Sequence, residues 1–209
     1  LGEIRGLAFA EGTLYVWAGD ACAAVDPVSG KVAWVSADAA SRPVVHGAHV
    51  LVRTSKGLAA LDRKTGRIAS TVSDASGDPI VVGKLAAIPC GAVLRASEWV
   101  LKLSAPIVRL APCKSGVAAL GADGKLRIVA LDGRLESEVA LARRIDTAFV
   151  IDSGVLYGGS GNEIVAFDLS GKALWTYDAG ARVTAPIVAN GRVWFGTAAG
   201  RAFAVHTDR

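Results

Sequence analysis

Ser153-Gly154-Val155-Leu156-Tyr157-Gly158 runs through a glycine-rich turn into Glu163-Ile164-Val165-Ala166-Phe167-Asp168, then Ser170-Gly171-Lys172 and Ala173-Leu174-Trp175. The phrase returns 37 residues on, counted from Gly154 to Gly191: Ala185-Pro186-Ile187-Val188-Ala189-Asn190-Gly191-Arg192-Val193-Trp194-Phe195-Gly196, then Ala199-Gly200-Arg201-Ala202-Phe203. A repeat of this length, built from short β-branched and aromatic runs separated by turns, predicts one propeller blade per copy.

Working outward, a glycine closing a tight hairpin marks six copies: Gly12, Gly47, Gly83, Gly116, Gly154 and Gly191, at intervals of 35, 36, 33, 38 and 37. Hairpin loops of two residues need positive φ, which glycine supplies. The apolar runs flanking each glycine are strands A and B, and a second turn leads into strand C. An aspartate (Asp26, Asp62, Asp132 or Asp168) then opens a third turn before strand D, its carboxylate suited to accept from the backbone two residues on. The expected fold is all-β, a single β-propeller of six blades of four antiparallel strands with an incomplete last blade. One domain would span 1–209, with repeats at about 5–40, 41–76, 77–105, 106–144, 145–181 and 182–209. Copy three has lost most of its third turn, and copy six stops after strand C. Its missing strand could be supplied by Leu1 to Ile4 pairing beside Arg201 to Val205, or the ring could close through a dimer.

Composition narrows the function classes. Of 209 residues 52% are hydrophobic and mean hydropathy is +0.40. No window reaches the roughly 18 unbroken apolar residues of a membrane helix, and the richest run, Ile80 to Leu94, is broken by Gly83, Lys84, Pro89 and Gly91. No membrane insertion is expected. The net charge of +4 comes from 23 basic and 19 acidic residues without any basic run, and aromatics make up 6%, so no nucleic-acid groove is signalled. Leu1 to Ala10 lacks the pattern of a signal peptide, and a chain starting at Leu1 reads as a processed or excised product, which leaves the compartment open. Cys22, Cys90 and Cys113 are an odd set without metal-type spacing. They read as small buried hydrophobes, with a Cys90 to Cys113 bridge between neighbouring blades as the alternative.

Ala24-Val25-Asp26-Pro27-Val28-Ser29-Gly30-Lys31-Val32-Ala33-Trp34 resembles the tryptophan-docking repeat of PQQ-like β-propellers, A-x-D-x-x-[ST]-G-x-x-x-W. Ala60 to Arg67 matches as far as the glycine but has Ser70 at the tryptophan position; Ala166 to Trp175 is one residue short in the turn and keeps the tryptophan. The resemblance implies that Trp34 and Trp175 lie over the turn glycines of neighbouring blades, with Gly30, Gly66 and Gly171 as the structural inter-blade set. Quinoprotein dehydrogenases of this resemblance use a vicinal cysteine pair, a calcium held by carboxylate and amide ligands, and an aspartate base. This chain has no adjacent cysteines, and its two asparagines, Asn162 and Asn190, sit in turns. No cofactor and no enzyme activity are therefore expected. Non-catalytic relatives are interaction platforms, including the outer-membrane barrel-assembly lipoprotein and sensor domains of membrane-bound kinases. The resemblance implies a scaffold binding a protein partner, and favours an extracytoplasmic location. The alternative is a small-ligand or sugar sensor domain of a larger protein, with a small anion in the central channel. A lyase or hydrolase with sites on blade loops is a more distant third reading.

Other chemistries find no constellation. His46 and His49 could reach one metal but form no ligand set, and Gly158-Gly159-Ser160-Gly161 joins two strands rather than opening a phosphate-binding helix. Arginine does recur ahead of strand A. Arg5, Arg42, Arg144 and Arg182 precede it, Arg109 falls within or beside it, and copy three carries Asp74 and Asp78 instead. Such a rim on the face of the D–A and B–C loops would make a bidentate collar for carboxylates, phosphates or an acidic partner loop. The competing reading is local ion pairing with Asp38, Asp146 and Asp178. Whether the chain is a monomer or a dimer closed through its last blade is left open.

Overall fold

The computed structural model of the chain describes residues 3–208. These residues form 23 strands and no helix, arranged as five sheets of four antiparallel strands and one of three. Blade one holds β1 (Ile4–Ala10), β2 (Thr13–Ala18), β3 (Ala21–Val25) and β4 (Val32–Ala37); blade two holds β5 (Val44–His46), β6 (His49–Thr54), β7 (Gly57–Asp62) and β8 (Ile68–Val72). Blade three holds β9 (Ile80–Val82), β10 (Leu85–Cys90), β11 (Val93–Arg95) and β12 (Val100–Lys102). Blade four holds β13 (Ile107–Cys113), β14 (Gly116–Gly121), β15 (Lys125–Ala130) and β16 (Leu135–Ala140). Blade five holds β17 (Phe149–Asp152), β18 (Val155–Ser160), β19 (Glu163–Asp168) and β20 (Ala173–Asp178), and blade six holds β21 (Ile187–Ala189), β22 (Arg192–Gly196) and β23 (Ala202–His206). The chain divides into two compact units, Leu1–Ser104 and Ala105–Arg209, of three blades each.

Hydropathy explains the layering within a blade. The middle strands are buried on both faces, as in β14, every residue of which is buried, while the fourth strand alternates between half-buried and exposed, as in β16 and β20. Neighbouring blades then share cores. Tyr15, Cys22 and Ala24 of blade one meet Val50, Val52, Ala59 and Leu61 of blade two, and Leu120, Leu126 and Ile128 of blade four meet Leu156, Val165 and Phe167 of blade five. Each fully buried Val, Leu or Phe in these layers contributes about 1.5–3 kcal/mol.

Two local devices position the loops. In blades one, two, four and five the register between the third and fourth strands slips by one residue, placing an extra Ala33, Ala69, Glu136 or Leu174 in the fourth strand. Such a bulge bends the strand and re-aims the next side chain, which is Trp34 in blade one and Trp175 in blade five. The second device was not anticipated from sequence. A hydroxyl in the linker ahead of a blade's first strand accepts an amide N–H from the end of that blade's second strand: Ser41 from Arg53 (2.9 Å), Thr147 from Gly159 (2.9 Å) and Thr184 from Gly196 (2.9 Å). Ser76 does the same for Gly91 just beyond β10, at 2.7 Å. The recoverable signal is a Ser or Thr two or three residues ahead of Pro43, Pro79, Phe149 or Pro186.

The marker glycines divide into three kinds. Glu11-Gly12, Ser153-Gly154 and Asn190-Gly191 are two-residue turns with φ between 47° and 80°, and Gly47 and Gly83 each come first in theirs. In blade four the turn is Lys114-Ser115 and Gly116 is already strand, where glycine is required because a β-carbon would collide with the backbone of Val129 and Ala130. Ile4 lies in β1, opposite Ala18; Leu1 and Gly2, which belong to the expected closing segment, are outside the described residues. The three cysteines are free thiols, which corrects the alternative of a Cys90 to Cys113 bridge. Burial in blade one pushes the Cys22 thiol up to about 12.

Candidate functional site

In unit two the B–C turn of blade four and the linker Leu141 to Asp146 enclose a cleft of about 530 Å³. Its floor is Gly121-Ala122-Asp123-Gly124. Beneath the floor Arg127, on β15, has no exposed side-chain surface. Its guanidinium forks onto Asp123 (Nη1 to Oδ1 3.1 Å, Nη2 to Oδ2 2.6 Å), and its Nε donates to Glu138 at 2.7 Å. Lys125 Nζ donates to the same Glu138 carboxylate at 2.6 Å. A buried cation needs such partners to offset its desolvation. The Arg127 hydrogen bonds hold the Asp123 carboxyl at about 2, and Lys125 and Arg127 lower that of Glu138. Gly121 has no room for a side chain, since a β-carbon would strike Arg127 and Asp123.

Three more guanidinium groups line the cleft. Arg143 pairs with Glu163, and Arg144 Nε lies 3.0 Å from Asp146, whose carboxylate also accepts the Gly161 N–H at 3.2 Å. Arg109, exposed on β13, donates to the Val108 carbonyl at 2.7 Å. Among the described residues no carboxylate lies within ion-pair distance of Arg109. Val108, Leu120, Leu141 and Ile145 supply an apolar wall.

Arg109 and Arg144 are thus brought to one cleft. In unit one the exposed Arg5 approaches Glu3 (3.9 Å) and lies over the Trp17 ring, 6.0 Å from its centroid. The stem of Arg42 covers the adjacent Gly6, so closely that a β-carbon there would lie 2.9 Å from it. Arg182 is exposed beside the bridge between Val183 and Thr197. Of the aspartates expected to pair locally only Asp146 meets a rim arginine. Asp38 instead accepts the N–H and O–H of Ser55 (2.9 and 2.8 Å), and Asp178 accepts the Gly180 N–H (2.8 Å). In blade three Asp74 pairs with Arg95 at 2.7 Å, and Asp78 lies 4.0 Å from Arg53.

The tryptophans occupy equivalent places. Tyr15, Ala24 and Trp34 lie side by side across blade one, as do Tyr157, Ala166 and Trp175 across blade five. The small alanine lets each indole lean toward its tyrosine, with ring centroids 6.0 and 5.8 Å apart. Trp34 Nε1–H donates to the Arg63 carbonyl of blade two (2.8 Å) and Trp175 Nε1–H to the matching Thr207 carbonyl after β23 (3.3 Å). The Trp34 ring lies over Gly66, where a β-carbon would come within 2.6 Å of it. Gly171 instead faces the Ala140 backbone, because blade four carries Ser137 at the tryptophan position, and nothing lies within 4 Å of a β-carbon at Gly30. No group of three metal-ligating side chains occurs among the described residues, and His46 Nε2 is engaged with the Lys84 carbonyl at 2.7 Å.

Consecutive blades of antiparallel strands, each an up-and-down sheet, are the architecture of a β-propeller. A family model described as outer membrane protein assembly factor BamB matches residues 1–208, and the chain belongs to that family. Among solved structures it is similar to BamB from Moraxella catarrhalis, with a TM-score of 0.73 at 18% identity over 95% of this chain and 70% of that one. It is also similar to the dihydro-heme d1 dehydrogenase NirN in complex with DHE, with a TM-score of 0.76 at 14% identity over 97% of this chain and 54% of that one. No curated protein sequence matches the chain. At these identities the two structures establish the fold, and one of them is an enzyme.

Proposed function

We propose that the chain is a non-enzymatic interaction scaffold of an extracytoplasmic assembly system, engaging a protein partner through the D–A and B–C loop face of its blades. The family match over residues 1–208 carries this reading. The arginines support it: Arg42, Arg144 and Arg182 stand on linkers held by the hydroxyl–amide latches of Ser41, Thr147 and Thr184, and Arg5 and Arg109 stand near the starts of β1 and β13. Rigid loops that present guanidinium forks suit an acidic partner surface, because the fork binds carboxylates bidentately and little ordering entropy is lost on contact. The tryptophans on this reading are structural, Trp34 tying blade one to blade two and Trp175 tying blade five to blade six.

Photo-crosslinking in the native host tests the reading. A photoreactive residue replacing Arg42, Arg144 or Arg182 is expected to give one discrete adduct. The same residue at Ile68 or Leu174, which are exposed on fourth strands, is expected to give none. Adducts from the fourth-strand positions alone, or from no position, would overturn the proposed contact face.

A further inference from the structure

We infer that the cleft of blade four is a binding site for a small organic anion, an oxyanion group on an apolar body, with Arg109 as the residue that recognises the charge. The inference goes beyond the scaffold reading and does not depend on it.

Charge within the cleft points to an anion. Asp123 is occupied by Arg127, Arg143 by Glu163, and Arg144 by Asp146, while Lys125 and Arg127 share Glu138. Each carboxylate in or behind the cleft is therefore already neutralised by a neighbouring cation, and Arg109 is left over. Its present acceptor is a single backbone carbonyl, a neutral partner; a carboxylate or phosphate would bring the opposite charge and could accept two N–H bonds of the guanidinium fork at once. Arg144 is the second hand, since its Asp146 partner is also held by the Gly161 amide and stays in place if Arg144 turns toward a ligand.

Size and lining argue for an organic ligand rather than a bare ion. About 530 Å³ falls within the roughly 300–1,000 Å³ usual for small-molecule sites. Leu120, Leu141 and Ile145 offer apolar contact beside the guanidinium groups. The floor is pre-formed: buried Arg127 locks Asp123 and the turn around it, so binding costs little ordering of that segment.

The test is a titration of the whole chain, followed through backbone amide NMR signals, with benzoate, phenyl phosphate and neutral benzamide at 50 and 500 mM NaCl. Benzoate or phenyl phosphate is expected to shift the signals of residues 121–124 and 142–146 saturably in the millimolar range, more weakly at high salt, while benzamide leaves them unchanged. Which of the two anions binds more tightly distinguishes a carboxylate from a phosphate ligand. Arg109→Gln should weaken binding at least tenfold and Arg144→Gln less, with both variants keeping the wild-type melting temperature. Arg192→Gln, a surface change outside the cleft, should bind as wild type does. Shifts as large with benzamide, no saturable shift with either anion, or unchanged affinity in Arg109→Gln would each overturn the inference and leave the crosslinking result of the scaffold reading untouched.

Discussion

Alanine at Gly66 and at Gly30 makes a matched pair, because the two glycines occupy the same turn of successive blades with the same φ of 69°. A β-carbon in that left-handed conformation costs roughly 1 kcal/mol at either site. At Gly30 that is the whole effect, since the new methyl meets nothing within 4 Å. At Gly66 it would stand 2.6 Å from Cδ2 and Cε3 of Trp34, well inside the 3.5–4.0 Å of carbon contacts, so the ring must retreat by about 1 Å. A gap of that size forfeits up to about half of the dispersion contact. Truncating a buried tryptophan altogether costs about 3–5 kcal/mol, so half of the packing amounts to about 2 kcal/mol. Loss of the 2.8 Å bond from Trp34 to the Arg63 carbonyl adds about 1 kcal/mol. Gly66→Ala should therefore be less stable than Gly30→Ala by about 2–3 kcal/mol, or about 4–12 °C in melting temperature for a chain of this size. Urea unfolding followed by circular dichroism, with a check that the slope is unchanged, measures the difference. Equal destabilisation of the two variants would refute the inter-blade role of Trp34.

Trp34→Ala, at a residue 8% exposed, should cost about 3–5 kcal/mol in the same assay, and Trp175→Ala less, because Trp175 is only half-buried and its bond to Thr207 is longer. Asp123 is held at about 2 in the folded chain against an ordinary 3.8, so its contribution is complete above about pH 5 and is lost as pH falls through about 2. Allowing for its 29% exposure that is about 1–2 kcal/mol, and Asp123→Asn should show a correspondingly smaller loss of urea stability between pH 5 and pH 2 than wild type. Thr184→Val keeps the shape of the side chain and removes the acceptor for the Gly196 amide, so it should lower stability by about 0.5–1 kcal/mol and speed hydrogen exchange at Gly196.

The recurrence of turn glycines and of Asp-x-x-[Ser/Thr]-Gly was enough to read the blades, because hairpin turns and Asx turns are local: Asp62, for instance, accepts from Thr65 three residues away. Both tryptophans stood out by their distance from the preceding alanine in the repeat. The cleft did not. Arg109 and Arg144 are 35 residues apart, and only the packing of the linker against the B–C turn brings them to one wall. Which arginine would be left without a carboxylate was equally hidden, since that depends on Glu163 reaching Arg143 and on Glu138 and Asp123 closing around Arg127. Asp38 and Asp178 looked like partners for the rim by proximity in the chain, yet Ser55, 17 residues on, engages Asp38, and the Gly180 amide engages Asp178. Turn geometry is settled by interactions within a few residues, so it is written in the sequence; the pairing of long charged side chains is a competition among several partners that only the assembled blades decide.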